Sequence, residues 1–125
     1  MLKKVDVIGI STKNLERLAG FYQDILGLKK SNQFPGTVVF YLTGLMITIT
    51  ERSHLTEQCQ EPGRISLSFF VDDIQKVYAT LKEKGVNFIQ PPVSQPWGGK
   101  MAIFSDPDGN ILHLSSYLSP ITRGF

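Results

Sequence analysis

The feature that most constrains the fold is an internal repeat. Leu15, Leu18, Ala19 and Tyr22 follow the i, i+3, i+4, i+7 spacing of a helix with one buried face, with Asn14 as N-cap and Gly27 as a left-handed stop. Ile74, Val77, Tyr78 and Leu81 repeat the pattern, with Asp73 or Asp72 as cap and Gly85 as stop. Each residue of the second set lies 59 positions after its counterpart (15 and 74, 18 and 77, 19 and 78, 22 and 81). Two copies of one supersecondary unit follow.

Apolar runs of strand length surround each helix. Val5–Ile10 precedes the first, and Thr37–Leu42 and Leu45–Thr50 follow it. Ile65–Val71 precedes the second, and Val86–Gln90, Lys100–Phe104 and Ile111–Ser115 follow. The polar segment Leu28–Gln33 completes the first copy by analogy with Val86–Gln90. The expected class is α+β, two tandem βαβββ modules, each a curved four-stranded sheet covered by one helix. Units that leave one sheet face bare tend to share a core, so a cupped cleft between the copies is the expected site. The expected bounds are about 1–52 for module 1, 53–63 for a linker, 64–118 for module 2 and 119–125 for a tail, all in one domain.

Composition narrows the function. Thirteen Lys and Arg against eleven Asp and Glu, scattered without a basic stripe, give no footprint for nucleic acid. No apolar segment reaches signal-peptide or membrane-spanning length, so no membrane and a cytoplasmic location are expected. Cys59, the single cysteine, sits between Glu57 and Glu61, which disfavours a thiolate nucleophile, and is read as a surface residue.

Near the C-terminus, Asp106-Pro-Asp-Gly109 is turn chemistry: Pro107 fixes its own φ, and Gly109 accepts a conformation other residues resist. The following run alternates, with Ile111, His113 and Ser115 on one face and Leu112 and Leu114 on the other. If the leucines pack under the helix, His113 faces the open side as a hydrogen-bonding or proton-accepting group near its ordinary titration range. A histidine so placed also commonly just bonds a neighbour. Trp97, between Pro96 and Gly98-Gly99, would stack on a planar or cationic ligand, or else plug a sheet edge or a dimer contact. Phe40, Tyr41, Phe69, Phe70 and Phe104 lie in strands, where about half are expected to pack in the core.

Asn14 to Leu28 with its Phe-Tyr pair, Val71-Asp-Asp-Ile74, Leu81-Lys-Glu-Lys-Gly-Val86, Pro96-Trp-Gly98 and Asp106-Pro-Asp-Gly-Asn110 occur in an order that spans nearly the whole chain. As an ordered set they resemble the vicinal oxygen chelate superfamily, the group of glyoxalases, bleomycin resistance proteins and extradiol dioxygenases. That resemblance implies a divalent metal held by one residue from the first and last strand of each module. The first-strand position lies seven residues before each cap, at Val7 and Ser66, and the last-strand position four after Gly44 and Gly109, at Thr48 and His113.

Only His113 of these four is a transition-metal ligand, so the expectation is no metal and no other cofactor. Glu51 or His54 would replace Thr48 only with a register several residues off. The resemblance then implies a metal-independent binding protein, a homodimer with or without exchanged modules, that sequesters an antibiotic or other planar organic compound. Its ligand-binding set is His113, Trp97, Ser66, Thr48 and Val7, with Ser68 and Ser115 on the faces of Ser66 and His113. The near-balanced charge does not suit the strongly cationic bleomycin itself. The alternatives are a superfamily enzyme, such as a glyoxalase-type lyase, an isomerase or a dioxygenase, using His113, and a structural module of a larger complex.

Overall fold

Helix starts are set by the two capping side chains. Asn14 Oδ1 accepts the Arg17 amide at 3.1 Å, and 59 residues later Asp73 Oδ1 accepts the Lys76 amide at the same distance. Helix α1 runs Leu15–Gly20 and continues through one π turn, Phe21–Ile25, while α2 is a regular helix, Ile74–Glu83. The π turn has a sequence cause. Gly27 stands thirteen residues after Asn14, but Gly85 only twelve after Asp73. The Leu26 amide reaching back to the Phe21 carbonyl at 3.0 Å widens the turn and takes up the extra residue. Both glycines then leave the helix with positive φ, 75° and 89°.

The computed structural model describes residues 1–117, so the tail at 119–125 and the end of module 2 at 118 lie outside the described residues. The chain divides after Gln60 into two compact units. In the first, β1 (Val7–Thr12), β2 (Lys29–Phe34), β3 (Thr37–Leu42) and β4 (Leu45–Glu51) form a sheet of order β1-β4-β3-β2. In the second, β5 (Leu67–Phe70), β6 (Asn87–Ser94), β7 (Lys100–Ser105) and β8 (Ile111–Ser115) form a sheet of order β5-β8-β7-β6. In each, the first strand pairs in parallel with the fourth, and the other pairings are antiparallel. The βαβββ unit is thus present twice.

One face of each sheet is the core. In unit one, Ile47 and Ile49 of β4 pair with Phe40 and Val38 of β3, and all four are buried with Leu18 and Tyr22 of α1. In unit two, Leu112 and Leu114 pair with Phe104 and Ala102, all buried. Tyr78 of α2 stacks edge-on against Phe88 at 4.6 Å, and Phe88 in turn lies 5.3 Å from Phe104. Each side chain of this size removed from water contributes about 1.5–3 kcal/mol. Of the five strand aromatics, Phe40 and Phe104 are core, Phe69 is half-buried, and Tyr41 and Phe70 are exposed.

Several boundaries differ from expectation; strand β5, expected over Ile65–Val71, runs only Leu67–Phe70. Strand β1 begins at Val7, two residues later than the apolar run. Strand β6 runs past Gln90 through Pro91 and Pro92 to Ser94. It is an edge strand with register shifts between Phe88 and Gln90 and between Gln90 and Val93, and an edge or a bulge is where a missing amide hydrogen costs little. No helix among the described residues is long and apolar enough to cross a membrane.

Candidate functional site

The Asp106–Gly109 turn is built around a buried carboxylate. Asp106 Oδ1 accepts the amides of Asp108 and Asn110, both at 3.0 Å, and Oδ2 accepts the Asn110 side-chain amide at 2.9 Å. The Gly109 amide closes the turn on the Asp106 carbonyl at 2.9 Å, with φ at 85°. The role of Asp106 was visible in the sequence only as a favoured residue type at the first turn position. This rigid entry fixes the phase of β8.

With that phase, Leu112 and Leu114 fall on the core face, and His113 lies on the other, half-buried. Register places Ser68, His113, Ile103 and Gln90 in one row across the open face of the second sheet. The next row is Phe70, Ser115, Met101 and Val93. Partial burial lowers the His113 pKa below its ordinary 6.5, so the imidazole is neutral at neutral pH. The expectation of an ordinary titration range is thereby corrected. Nor does the ring bond a neighbour: among the described residues it has no hydrogen-bond partner.

The other sequence candidates separate. Ser66 lies just before β5, exposed, and Ser68 is exposed beside His113. Ser115 shares their face but is buried and occupied, its hydroxyl accepting the Tyr117 amide at 3.1 Å and donating to the Tyr117 carbonyl at 3.2 Å. Trp97 lies in the β6–β7 turn, half-exposed, with its ring edge-on to Tyr117 at 5.3 Å. In the first unit, Thr48 stands between Gly9 and Val39 on the open face, and Val7 is exposed one pair along, opposite Met46.

Thr48 holds the expected register, so no shift brings in Glu51 or His54. The Glu51 carboxylate accepts the Leu15 amide at 3.3 Å, at the start of α1, and His54 is exposed in the connecting loop. Cys59 is a free, exposed thiol. Sequence reasoning overlooked Phe70, Met101, Ile103 and Gln90. Phe70 was accessible from the period of two that it shares with Ser66 and Ser68; the other three share the face only through strand register.

Known proteins bear on this geometry. The chain is 26% identical over 116 residues to the metallothiol transferase FosB of Staphylococcus epidermidis, with 91% of this chain and 84% of that protein covered. Against the metallothiol transferase FosB of Staphylococcus saprophyticus it is 22% identical over 116 residues, with 91% and 77% covered. A crystal structure of a glyoxalase/bleomycin resistance protein/dioxygenase from Nocardioides superposes with a TM-score of 0.77 at 22% identity, with 96% of this chain and 87% of that chain covered. At that identity the likeness speaks for the fold alone.

These relatives overturn the sequence expectation of no cofactor, because a metallothiol transferase carries a metal in the name of its chemistry. Set against this chain's own residues, such an ion finds one nitrogen donor, His113, hydroxyls at Ser66 and Thr48, and no donor at Val7. Among the described residues no group of three or more His, Cys, Asp or Glu side chains gathers. A complete set of conventional protein donors therefore does not fit these four positions. No step of the chemistry proposed for this chain runs through a metal.

The repeat, the two sheets and the ordered motifs agree with the family model that matches residues 4–114. The chain belongs to the Glyoxalase/Bleomycin resistance protein/Dioxygenase superfamily.

Proposed function

We propose that the chain binds a small organic molecule on the open face of its second sheet, with His113 as the polar anchor. The observation that supports this reading is the state of His113. Its imidazole is half-buried, neutral and, among the described residues, without a hydrogen-bond partner, so part of its hydration is lost and no hydrogen bond among those residues replaces it. A ligand that supplies the missing partner gains about 0.5–1.5 kcal/mol there, beyond the apolar area it covers. Ser68 beside the ring, together with the exposed ring of Phe70, gives such a ligand a second polar contact and an apolar wall. Binding alone suffices to sequester a harmful antibiotic or other planar compound, since mass action lowers its free concentration. A homodimer belongs to this reading: β1 and β5 end their sheets, and an edge is where a further strand adds.

A thermal-shift screen with planar cationic drugs, dicarbonyl adducts and catechols tests it, run with and without added Mn(II) or Zn(II). A binder at a hundred times its Kd stabilises the folded chain by about 2.7 kcal/mol. The expected result is one class that stabilises the natural chain and leaves His113→Ala unmoved. Equal shifts in both proteins, or none in either, would remove His113 from the function.

The FosB relatives favour a second reading, transfer of a thiol to a small electrophile, in which His113 accepts a proton. A neutral imidazole with no hydrogen-bond partner among the described residues suits a general base. Loss of free thiol, measured with an electrophile panel and each metal added, separates the two: turnover that His113→Ala abolishes selects the enzyme.

A further inference from the structure

The open face of the second sheet is unusual for what it lacks. With 24 charged residues in 125 (13 Lys and Arg, 11 Asp and Glu), about one position in five of this chain is charged. Yet of all residues in β5, β6, β7 and β8, Lys100 alone carries a full charge, and it alternates with Ala102 and Phe104 on the opposite face. Two of the charges at the margins are already engaged, and Asp72, exposed beyond the end of β5, lies outside the strands. Arg64, before β5, pairs with Glu61 at 2.8 Å, and the Asp106 carboxylate is spent on the amides of its own turn.

What remains on the face is Phe70, Met101 and Ile103 as apolar surface, with Ser68 and His113 as hydrogen-bonding groups and Gln90, whose amide nitrogen already donates to the Met101 carbonyl at 3.4 Å, offering its carbonyl oxygen. A charged ligand settling here gives up hydration and finds no opposite charge on this face of the strands to replace it. That loss costs several kcal/mol even after relaxation, and weak dipoles such as a serine hydroxyl recover little of it. A neutral carbonyl or hydroxyl compound meets no such penalty, because each of its polar atoms has a neutral donor or acceptor opposite. Its apolar part covers Phe70, Met101 and Ile103, and the two sulfur-to-carbon bonds of methionine let that floor adapt.

From this we infer that the ligand of the second sheet is an uncharged organic molecule, apolar over most of its area and carrying hydrogen-bonding oxygens, and that the missing charges are what reject ionic compounds. The inference rests on the proposed binding role of this face and adds the class of molecule that it takes.

Three planar dyes of different charge test it by fluorescence titration at pH 8: neutral Nile red, anionic 1-anilinonaphthalene-8-sulfonate and cationic acridine orange. The natural chain is expected to bind Nile red saturably, near one per chain, and the two ions at least tenfold more weakly. His113→Ala weakens Nile red. Ser68→Asp, at an exposed position that tolerates a polar change, raises acridine orange affinity at least tenfold, and Ser68→Lys does the same for the anion. An ionic dye that binds the natural chain as tightly as Nile red and responds to His113→Ala overturns the inference while leaving the binding role intact. Nile red binding that neither Ser68 variant alters places the dye elsewhere and also overturns it. No saturable binding of any dye to any of these proteins sinks the binding role itself.

Discussion

Replacing Gly99 by alanine, with Gly44→Ala beside it, separates backbone strain from side-chain collision. Both glycines hold the left-handed conformation, φ 71° and 76°. An alanine forced there costs about 1–2 kcal/mol, offset by about 0.4–1 kcal/mol from a stiffer unfolded chain, for a net of about 1 kcal/mol. At Gly44 nothing stands within 4 Å of the added methyl, so this is the whole effect. At Gly99 the methyl would lie 3.0 Å from Ser116 Oγ and from Tyr117 Cβ, and 3.3 Å from the Tyr117 amide nitrogen. Carbon contacts prefer about 3.5–4.0 Å, and overpacking of this kind costs about 1–3 kcal/mol more. Two of the three atoms belong to Tyr117 near its main chain, so relief must move the segment that holds the Lys100 amide on Ser116 Oγ at 2.8 Å. The sum is about 2–4 kcal/mol for Gly99→Ala, or a Tm lower by about 8–16 °C, against about 4 °C for Gly44→Ala. Urea melts followed by far-ultraviolet circular dichroism measure the difference. The chain's single tryptophan adds a local probe, since Trp97 packs on Tyr117. Its native emission should shift in Gly99→Ala and stay fixed in Gly44→Ala. Equal losses of stability with unchanged emission in both would refute the reasoning.

Burial gives His113 a folded pKa below its unfolded 6.5, so its stabilising share is present above pH 6.5 and drains away as pH falls through the folded value. Proton NMR of the imidazole should show a midpoint below 6.5, and His113→Phe should flatten the stability profile in that window; a midpoint at or above 6.5 would contradict the burial argument. Asp73→Ala removes the acceptor for the Lys76 amide and should cost about 1 kcal/mol, while Asp73→Asn costs a few tenths, both read from urea midpoints. Phe104 has no exposed surface, so Phe104→Ala should cost about 3–5 kcal/mol, whereas Phe70→Ala on the open face should stay within about 1 kcal/mol; comparable losses would mean the faces are assigned the wrong way round.

Local chemistry was legible in the sequence, and long-range partnership was not. The caps at Asn14 and Asp73, the glycine stops and the alternation of Leu112, His113 and Leu114 each depend on residues within a few positions of one another. They appear in the structure as read. The π turn was also present in the spacing, as the one residue by which the first cap-to-glycine distance exceeds the second. The use of Glu51 at the start of α1, 36 residues back, was hidden because a carboxylate at a strand end looks the same whether it meets an amide, a cation or water. The same holds for Ser115: its period put it on the open face, but only the backbone of Tyr117 folding onto its hydroxyl takes it away from a ligand. The course of β6 through two prolines depends on its being an edge strand, a property of the whole sheet.

The elements that place the four last-strand and first-strand positions do not use the side chains found there. The Asp106 carboxylate sets the phase of β8 from outside the strand, and the β5–β8 register puts Ser68 beside His113 whatever those residues are. The scaffold can therefore stay constant while its donors change, and the two copies in this one chain show how far such change goes. In the first sheet the row at Thr48 meets Gly9, where an added methyl would stand 3.4 Å from the threonine hydroxyl, and Val39 on the other side. That row ends at Asn32 of β2, whose carboxamide answers to Gln90 in the second sheet, but it has no imidazole and no other ring. In the second sheet the matching row carries an imidazole, a hydroxyl and a carboxamide. A ligand recognised through hydrogen bonds finds its partners in the second copy. His113→Ala should therefore weaken binding far more than Thr48→Val, a change that keeps shape and removes only the hydroxyl.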